Sequence, residues 1–296
     1  MPKAKVNNIE IEYDTFGEPS SKPLLLIMGL GAQMINWDEE FCKKLVEHDF
    51  YVIRFDNRDV GLSTKFDEAG EPDILKLYMQ ALRGEKIEAA YTLEDMADDA
   101  VGLLDFLNIN KAHVCGMSMG GMIAQVIAYR HHSRVLSLIS ISSSTGDPDL
   151  PRPKPEAMEI LIKPVPIGRE AIIEEGVNRM RIIHGNGIPF DEERSRRFVT
   201  ASYDRSSYRA GYSRQIAAIL MAGNRKPALA SIKVPTLVVH GNMDPLMPPE
   251  GGKDTAKAIP GAELLIIEGM GHSLPPEIWP QLLKAITENA SKAYQS

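Results

Sequence analysis

A serine with glycine two residues before it and two after it, Gly116-x-Ser118-x-Gly120 in "CGMSMGG" (115–121), is where residue types and spacing first imply chemistry. The apolar run before it reads as a strand and the run after it as a helix. Such a strand-to-helix turn strains the serine backbone and holds the hydroxyl above the sheet. The glycines clear space for neighbouring elements, and Gly121 extends that clearance. The backbone N–H of Met119, at the start of the helix, then points where negative charge develops in acyl transfer.

A serine hydroxyl is a weak nucleophile at neutral pH and needs a base. The chain has seven histidines. His48 ends a helix and His113 lies within the strand leading to the serine. His131 and His132 sit at a helix C-terminus, where a cation is favoured anyway. His184 falls in a helical stretch with no evident role, and His240 ends a strand. His272 is different: it lies in "EGMGHSLPPE", a glycine-bearing loop straight after the last strand. Loops at the carboxyl ends of parallel strands share one rim, so His272 is the expected base. An imidazole in that role needs an orienting carboxylate. Asp244, in "HGNMDPLMPPE" after the penultimate strand, is preferred. Asp147 is the rival, but it lies several residues beyond its strand in a proline-rich run.

A second donor for the developing oxyanion is expected from the loop after "LLLI", which reads "MGLGAQMINW". The backbone N–H of Leu30, between Gly29 and Gly31, is the candidate. Methionines gather around these segments: Met28, Met34, Met117, Met119, Met122 and Met270. Unbranched thioethers suit two roles equally, ordinary packing and a soft apolar pocket for an acyl group; Met28, Met34, Met117 and Met122 are the candidates for the pocket.

The elements that must position these residues follow from the hydrophobic pattern. "VNNIEIEYDTFG" (6–17) alternates and predicts an antiparallel edge strand or hairpin. Apolar runs at 24–29, 51–56, 111–118, 135–143, 234–241 and 262–269 predict strands. Helical patterns fall at 37–49, 92–109, 119–132 and 279–290, with Thr92 and Asp95 in capping positions. Strands alternating with helices predict an α/β fold: a mostly parallel, twisted sheet flanked by helices. The alternation breaks at 145–228, which is proline-rich at its start and helical beyond. The organisation expected is one α/β core, 1–144 with 229–296, interrupted by a helical insertion at 145–228. The run "DEERSRR" (191–197) and the pair Asp98 and Asp99 read as solvated helix faces.

Composition sets the bounds. The 296 residues, 44% hydrophobic and 25% charged, suit a globular chain with a substantial core. A net charge of −7 argues against nucleic-acid binding, which needs a basic face. Cys42 and Cys115 give neither a disulfide framework nor a zinc spacing, and read as buried free thiols. The first residues lack a secretory h-region, and no apolar run is long enough to span a bilayer. A cytoplasmic location is the expectation. No metal or organic cofactor is implied, and nothing sets an oligomeric state.

Taken in order, "LLLIMGLG", "VIRFDNRDVGLS", "HVCGMSMGGMIAQ", "VPTLVVHGNMD" and "IIEGMGHSLP" resemble the α/β-hydrolase superfamily over most of the chain. "IMGLG" followed by "NW" looks most like the aclacinomycin methylesterase group, which is similar to proline iminopeptidases and cofactor-free haloperoxidases. The resemblance implies a triad in the order Ser118, Asp244, His272, a small-molecule ester substrate and a cap domain over the site, and it makes "DNRDVGLS" (56–63) a structural loop. One departure is that Met28 stands where the family commonly has a histidine. The expected function is hydrolysis of carboxylic esters through an acyl-enzyme. Perhydrolysis, amide cleavage at an N-terminal proline with cap carboxylates such as Glu156, Glu159, Glu174 or Glu175 binding the amine, and ligand binding with little turnover are the competing readings.

Overall fold

Two asparagines open the architecture. Asn7 and Asn8 both take positive φ, 44° and 65°. That is the backbone of a two-residue hairpin turn matching the right-handed twist of its strands. It joins β1 (Lys3–Val6) to β2 (Ile9–Phe16), with Val6 opposite Ile9. The expected antiparallel hairpin is therefore present. The computed structural model describes residues 1–163 and 166–295.

The remaining strands are β3 (Lys22–Ile27), β4 (Phe50–Phe55), β5 (Ala112–Met117), β6 (Val135–Ile141), β7 (Thr236–Gly241) and β8 (Glu263–Ile267). Between them run α1 (Glu39–Glu47), α2 (Ile74–Leu82), α3 (Leu93–Phe106) and α4 (Met119–Arg130). After β6 come α5 (Pro155–Ile162), α6 (Arg169–His184), α7 (Glu192–Arg205), α8 (Ala210–Ala222) and the short α9 (Lys226–Leu229). Helix α10 (Glu250–Ala258) separates the last two strands, and α11 (Trp279–Lys292) closes the chain. The strand order across the sheet is β1-β2-β4-β3-β5-β6-β7-β8. Pairing is antiparallel from β1 to β4 and parallel from there to β8.

The parallel strands read as unbroken apolar runs because both faces of the sheet are covered. Successive side chains alternate faces. Leu25 and Ile27 join the apolar layer under α3 and α4, while Leu24 and Leu26 join the layer under α1 and α11. Each fully buried leucine contributes roughly 1.5–3 kcal/mol. Helix α4 shows little amphipathic pattern because Met119 to Ala128 are all buried. Helix α3 begins with the expected capping box: Asp95 N–H donates to Thr92 Oγ1 at 3.0 Å, and Thr92 N–H to Asp95 Oδ2 at 2.8 Å. Cys42 and Cys115 are free and buried, and burial pushes the Cys42 thiol up to about 12.

The segment between β6 and β7 holds five helices and no strand among its described residues. The run 191–197 lies mostly on an exposed face, as expected, although Ser195 is buried and Arg194 pairs with Asp38 beside α1. Asp98 is partly exposed and pairs with Arg130 and His131. Asp99 differs from expectation. It is 1% exposed, held by Arg58 through Nε–Oδ2 at 2.6 Å and Nη2–Oδ1 at 2.8 Å. The loop after β4 lies over this side of α3 and brings a cation to it.

Candidate active site

Ser118 stands between β5 and α4 with φ 57° and ψ −122°. A non-glycine residue in that region costs on the order of 1–3 kcal/mol and persists only where its surroundings over-determine it. They do so here. Ser118 N–H donates to Ile141 O on β6 at 2.9 Å, and Ser118 O accepts from Met122 N–H at 3.1 Å. Ser118 O also accepts from Ser143 Oγ at 2.9 Å. The glycines around it are required by close approach. A Cβ on Gly116 would lie 2.0 Å from Gly120 O, and one on Gly120 would lie 2.1 Å from Ile27 O. The small residues of "CGMSMGG" let β3, β5 and α4 meet backbone to backbone beneath the strained serine.

The loop after β3 runs alongside. A Cβ on Gly29 would lie 3.6 Å from Ser118 Oγ, so this loop borders the hydroxyl. Its peptides are tied down in succession. Met28 O accepts from Asn57 Nδ2 at 3.0 Å. Gly29 O accepts from Ala32 N–H at 3.2 Å. Gly31 N–H donates to Gln215 Oε1 at 2.8 Å, and Met34 N–H to Asp56 Oδ1 at 2.8 Å. Gln33 reaches across to α7, donating to Ser202 O and Ser206 O and accepting from Arg205. The loop 56–63 is the anchor on the other side. Asp56 pairs with Arg205 at 2.7 Å, and Asp59 pairs with Arg214 at 2.8 Å. Burial opposes the charge on Asp59, yet hydrogen bonds from Arg214 and Phe66 N–H hold its carboxyl below the usual range.

At the carboxyl ends of β7 and β8, His272 Nδ1 donates to Asp244 Oδ2 at 2.7 Å. The other carboxylate oxygen accepts from Leu246 N–H at 2.9 Å and Met247 N–H at 2.7 Å. Both side chains are almost fully buried, at 5% and 3% exposure. Such a bond fixes the tautomer that leaves Nε2 free to accept a proton. His240 lies behind the pair: its Nε2 donates to Met247 O at 2.8 Å and sits 3.6 Å from Asp244 Oδ2. Burial lowers its pKa, so this imidazole is a neutral packing group. Asp147 is engaged elsewhere, with Lys226 at 3.3 Å. Glu174 is exposed and paired with Arg196, and Glu175 is paired with Lys163.

The methionines divide between the two apolar layers. Met119 and Met122 belong to the layer of α3 and α4, and Met28, Met117 and Met270 to the other. Met34 is also fully buried. Sequence reasoning missed Ser143, Asn57, Gln215 and the C-terminal end of α6. That end closes over the His272 loop: His272 N–H donates to Ile183 O at 2.7 Å, and Ser273 Oγ hydrogen-bonds His184 Nδ1 at 2.9 Å. Only the asparagine of "DNRDVGLS" carried a signal, since it lies in a motif already singled out.

An eight-stranded, mostly parallel sheet with a strained serine at a strand-to-helix turn defines the class. The chain belongs to the alpha/beta hydrolase fold family, whose model matches residues 22–277. It is 29% identical over 316 residues to rhodomycin D methylesterase DnrP of Streptomyces peucetius, covering 99% of each chain. Among solved structures, a meta-cleavage product hydrolase, CumD, from Pseudomonas fluorescens IP01 superposes with a TM-score of 0.76 at 19% identity, covering 99% of this chain and 98% of that one. A thermophilic esterase from Thermogutta terrifontis superposes with a TM-score of 0.67 at 25% identity, covering 99% and 98%. Among the described residues, no helix is long and apolar enough to cross a membrane.

Proposed function

We propose that the chain is a carboxylic ester hydrolase that works through a Ser118–His272–Asp244 triad. Ser118 Oγ attacks the ester carbonyl carbon while His272 Nε2 takes its proton. The carbonyl oxygen becomes an oxyanion held by the N–H groups of Leu30 and Met119. Collapse breaks the bond to the alcohol oxygen, which leaves with the proton from His272. Water, deprotonated by the same imidazole, then cleaves the acyl-serine and restores the enzyme. Asp244 holds the imidazole in the tautomer the cycle needs. The helical segment 145–228 is the cap over this site.

The observations that carry this reading are the 2.7 Å bond from His272 to Asp244 and, at the strand-to-helix turn, a serine held at positive φ. The full-length match to a methylesterase supports an ester with a small alcohol part. The test is a screen of methyl and short-chain p-nitrophenyl esters with wild type and Ser118→Ala. Turnover is expected in the wild type and should be abolished in the variant. Undiminished turnover in Ser118→Ala refutes the assignment.

A further inference from the structure

The N–H of Leu30 belongs to the peptide between Gly29 and Leu30, so its aim depends on three consecutive peptide planes. The first is fixed through Met28 O by Asn57, and the second through Gly29 O by Ala32 N–H. The third, between Leu30 and Gly31, is fixed only from a distance: Gly31 N–H donates to Gln215 Oε1 at 2.8 Å. Gln215 lies on α8, and the other end of its amide, Nε2, donates to Arg58 O at 3.0 Å. The side chain is fully buried. Both ends of the amide are used, so its orientation follows from its partners: turned over, it would set a donor against a donor and an acceptor against an acceptor. Gly31 itself has φ +65°, and a Cβ there would lie 2.7 Å from the Tyr212 ring, one turn before Gln215 on α8.

We propose that Gln215 is a positioning residue for the oxyanion hole. It couples the aim of the Leu30 N–H to the seating of α8 on α2, α3 and the loop 56–63. This rests on the serine-hydrolase reading above. A donor that is displaced rather than removed still binds substrate, so the loss falls on the transition state. Gln215 bonds Gly31 N–H and Arg58 O and acts through the loop.

The experiment uses an ester turned over by the wild type and measures kcat, KM and inhibition by an arylboronic acid. The tetrahedral boronate adduct on Ser118 places an oxygen where the oxyanion forms. In Gln215→Met, which keeps the volume and loses both hydrogen bonds, kcat is expected to fall roughly 10- to 100-fold with KM changed by less than about threefold. Boronate affinity should fall in parallel with kcat. Gln215→Glu, held as the neutral acid by burial, keeps an acceptor for Gly31 N–H and an O–H donor for Arg58 O, and should retain more of kcat than Gln215→Met. A folded Gln215→Met with wild-type kcat overturns the proposal. So does a variant whose KM rises while its boronate affinity holds. Should Gln215→Met fail to fold, Gln215→Glu is compared with Gln215→Asn, whose shorter side chain cannot reach Gly31. Equal kcat in those two overturns the proposal, and higher kcat in the glutamate variant supports it. Activity surviving in Ser118→Ala would instead remove the serine-hydrolase reading. An inactive Ser118→Ala beside an undiminished Gln215→Met removes the positioning role alone.

Discussion

The backbone N–H of His272 donates to the carbonyl of Ile183 at 2.7 Å. The loop that carries the imidazole is thus closed by the last turn of α6, a helix from the segment between β6 and β7. The neighbouring residue makes this contact tight. A Cβ on Gly271 would lie 2.0 Å from His184 O and 2.7 Å from Ile183 O, both backbone atoms that cannot rotate away. Gly271→Ala must therefore push the His272 loop off α6. Overpacking of this kind costs roughly 1–3 kcal/mol. In the role proposed for His272, a displacement of about 1 Å costs up to roughly 100-fold in rate. The expected outcome is a folded protein with modestly lowered Tm and kcat reduced by more than tenfold, read by thermal denaturation beside ester turnover. Wild-type kcat in a stable Gly271→Ala protein would show that the α6 contact does not set the imidazole.

The sheet was legible in the chain because burial on both faces leaves an apolar run with little ambiguity, as at Leu24 to Ile27 and Val114 to Met117. The tight turn at Ser118 was legible for a related reason: close backbone approach at Gly116 and Gly120 imposes residue type, and residue type is what a sequence displays. Helix α2 was not. Ile74, Leu77, Tyr78 and Ala81 form its packed face, but Leu75, Met79 and Leu82 on the exposed side are as apolar, so apolar character alone does not pick out the buried face. Asp99 was misread as solvated because its partner, Arg58, comes from a loop 41 positions away. The supports of the site were hidden in the same way. Gln215 meets Gly31 across 184 positions, and the Ile183 contact uses only backbone, which leaves no trace in side-chain identity.

The Asp59–Arg214 pair tests how firmly α8 is held. Its side chains are 0% and 1% exposed, and Arg214 also donates to Tyr208 and to Gly70 O. Removing one member of a buried pair leaves an uncompensated charge, at a cost of about 3–5 kcal/mol. Arg214→Met is therefore expected to lose that much stability in urea denaturation at pH 7. Asp59→Asn combined with Arg214→Met should recover part of it, because the stranded carboxylate is gone. The sign with pH follows from the carboxyl being held below its ordinary value. The stability it supplies is present above the unfolded pKa of about 3.9 and is lost as pH falls through the folded value. If Arg214→Met is as stable as wild type at neutral pH, the pair does not anchor the helix.

His113 supplies a separate and opposite-facing test, at the other end of β5 from the serine. It is fully buried between the rings of Phe50 and Tyr294, with Nδ1 hydrogen-bonded to Ser137 Oγ at 2.8 Å. Burial pushes its pKa down to about 4, assisted by the charge of Lys22. The unfolded chain binds a proton here near pH 6.5, and the folded chain resists it. The group therefore contributes full stability above about pH 6.5, which is lost as pH falls toward 4. The slope approaches 1.36 kcal/mol per pH unit, and the loss reaches roughly 3 kcal/mol across the window. Urea denaturation of wild type and His113→Phe at pH 7, 6, 5 and 4.5 isolates this contribution. The phenylalanine variant is expected to start less stable, having lost the hydrogen bonds to Ser137 Oγ and to the Tyr294 hydroxyl, and to decline more gently by up to one proton's slope. Parallel declines in the two proteins would mean that His113 is not the group whose protonation opens the fold in mild acid.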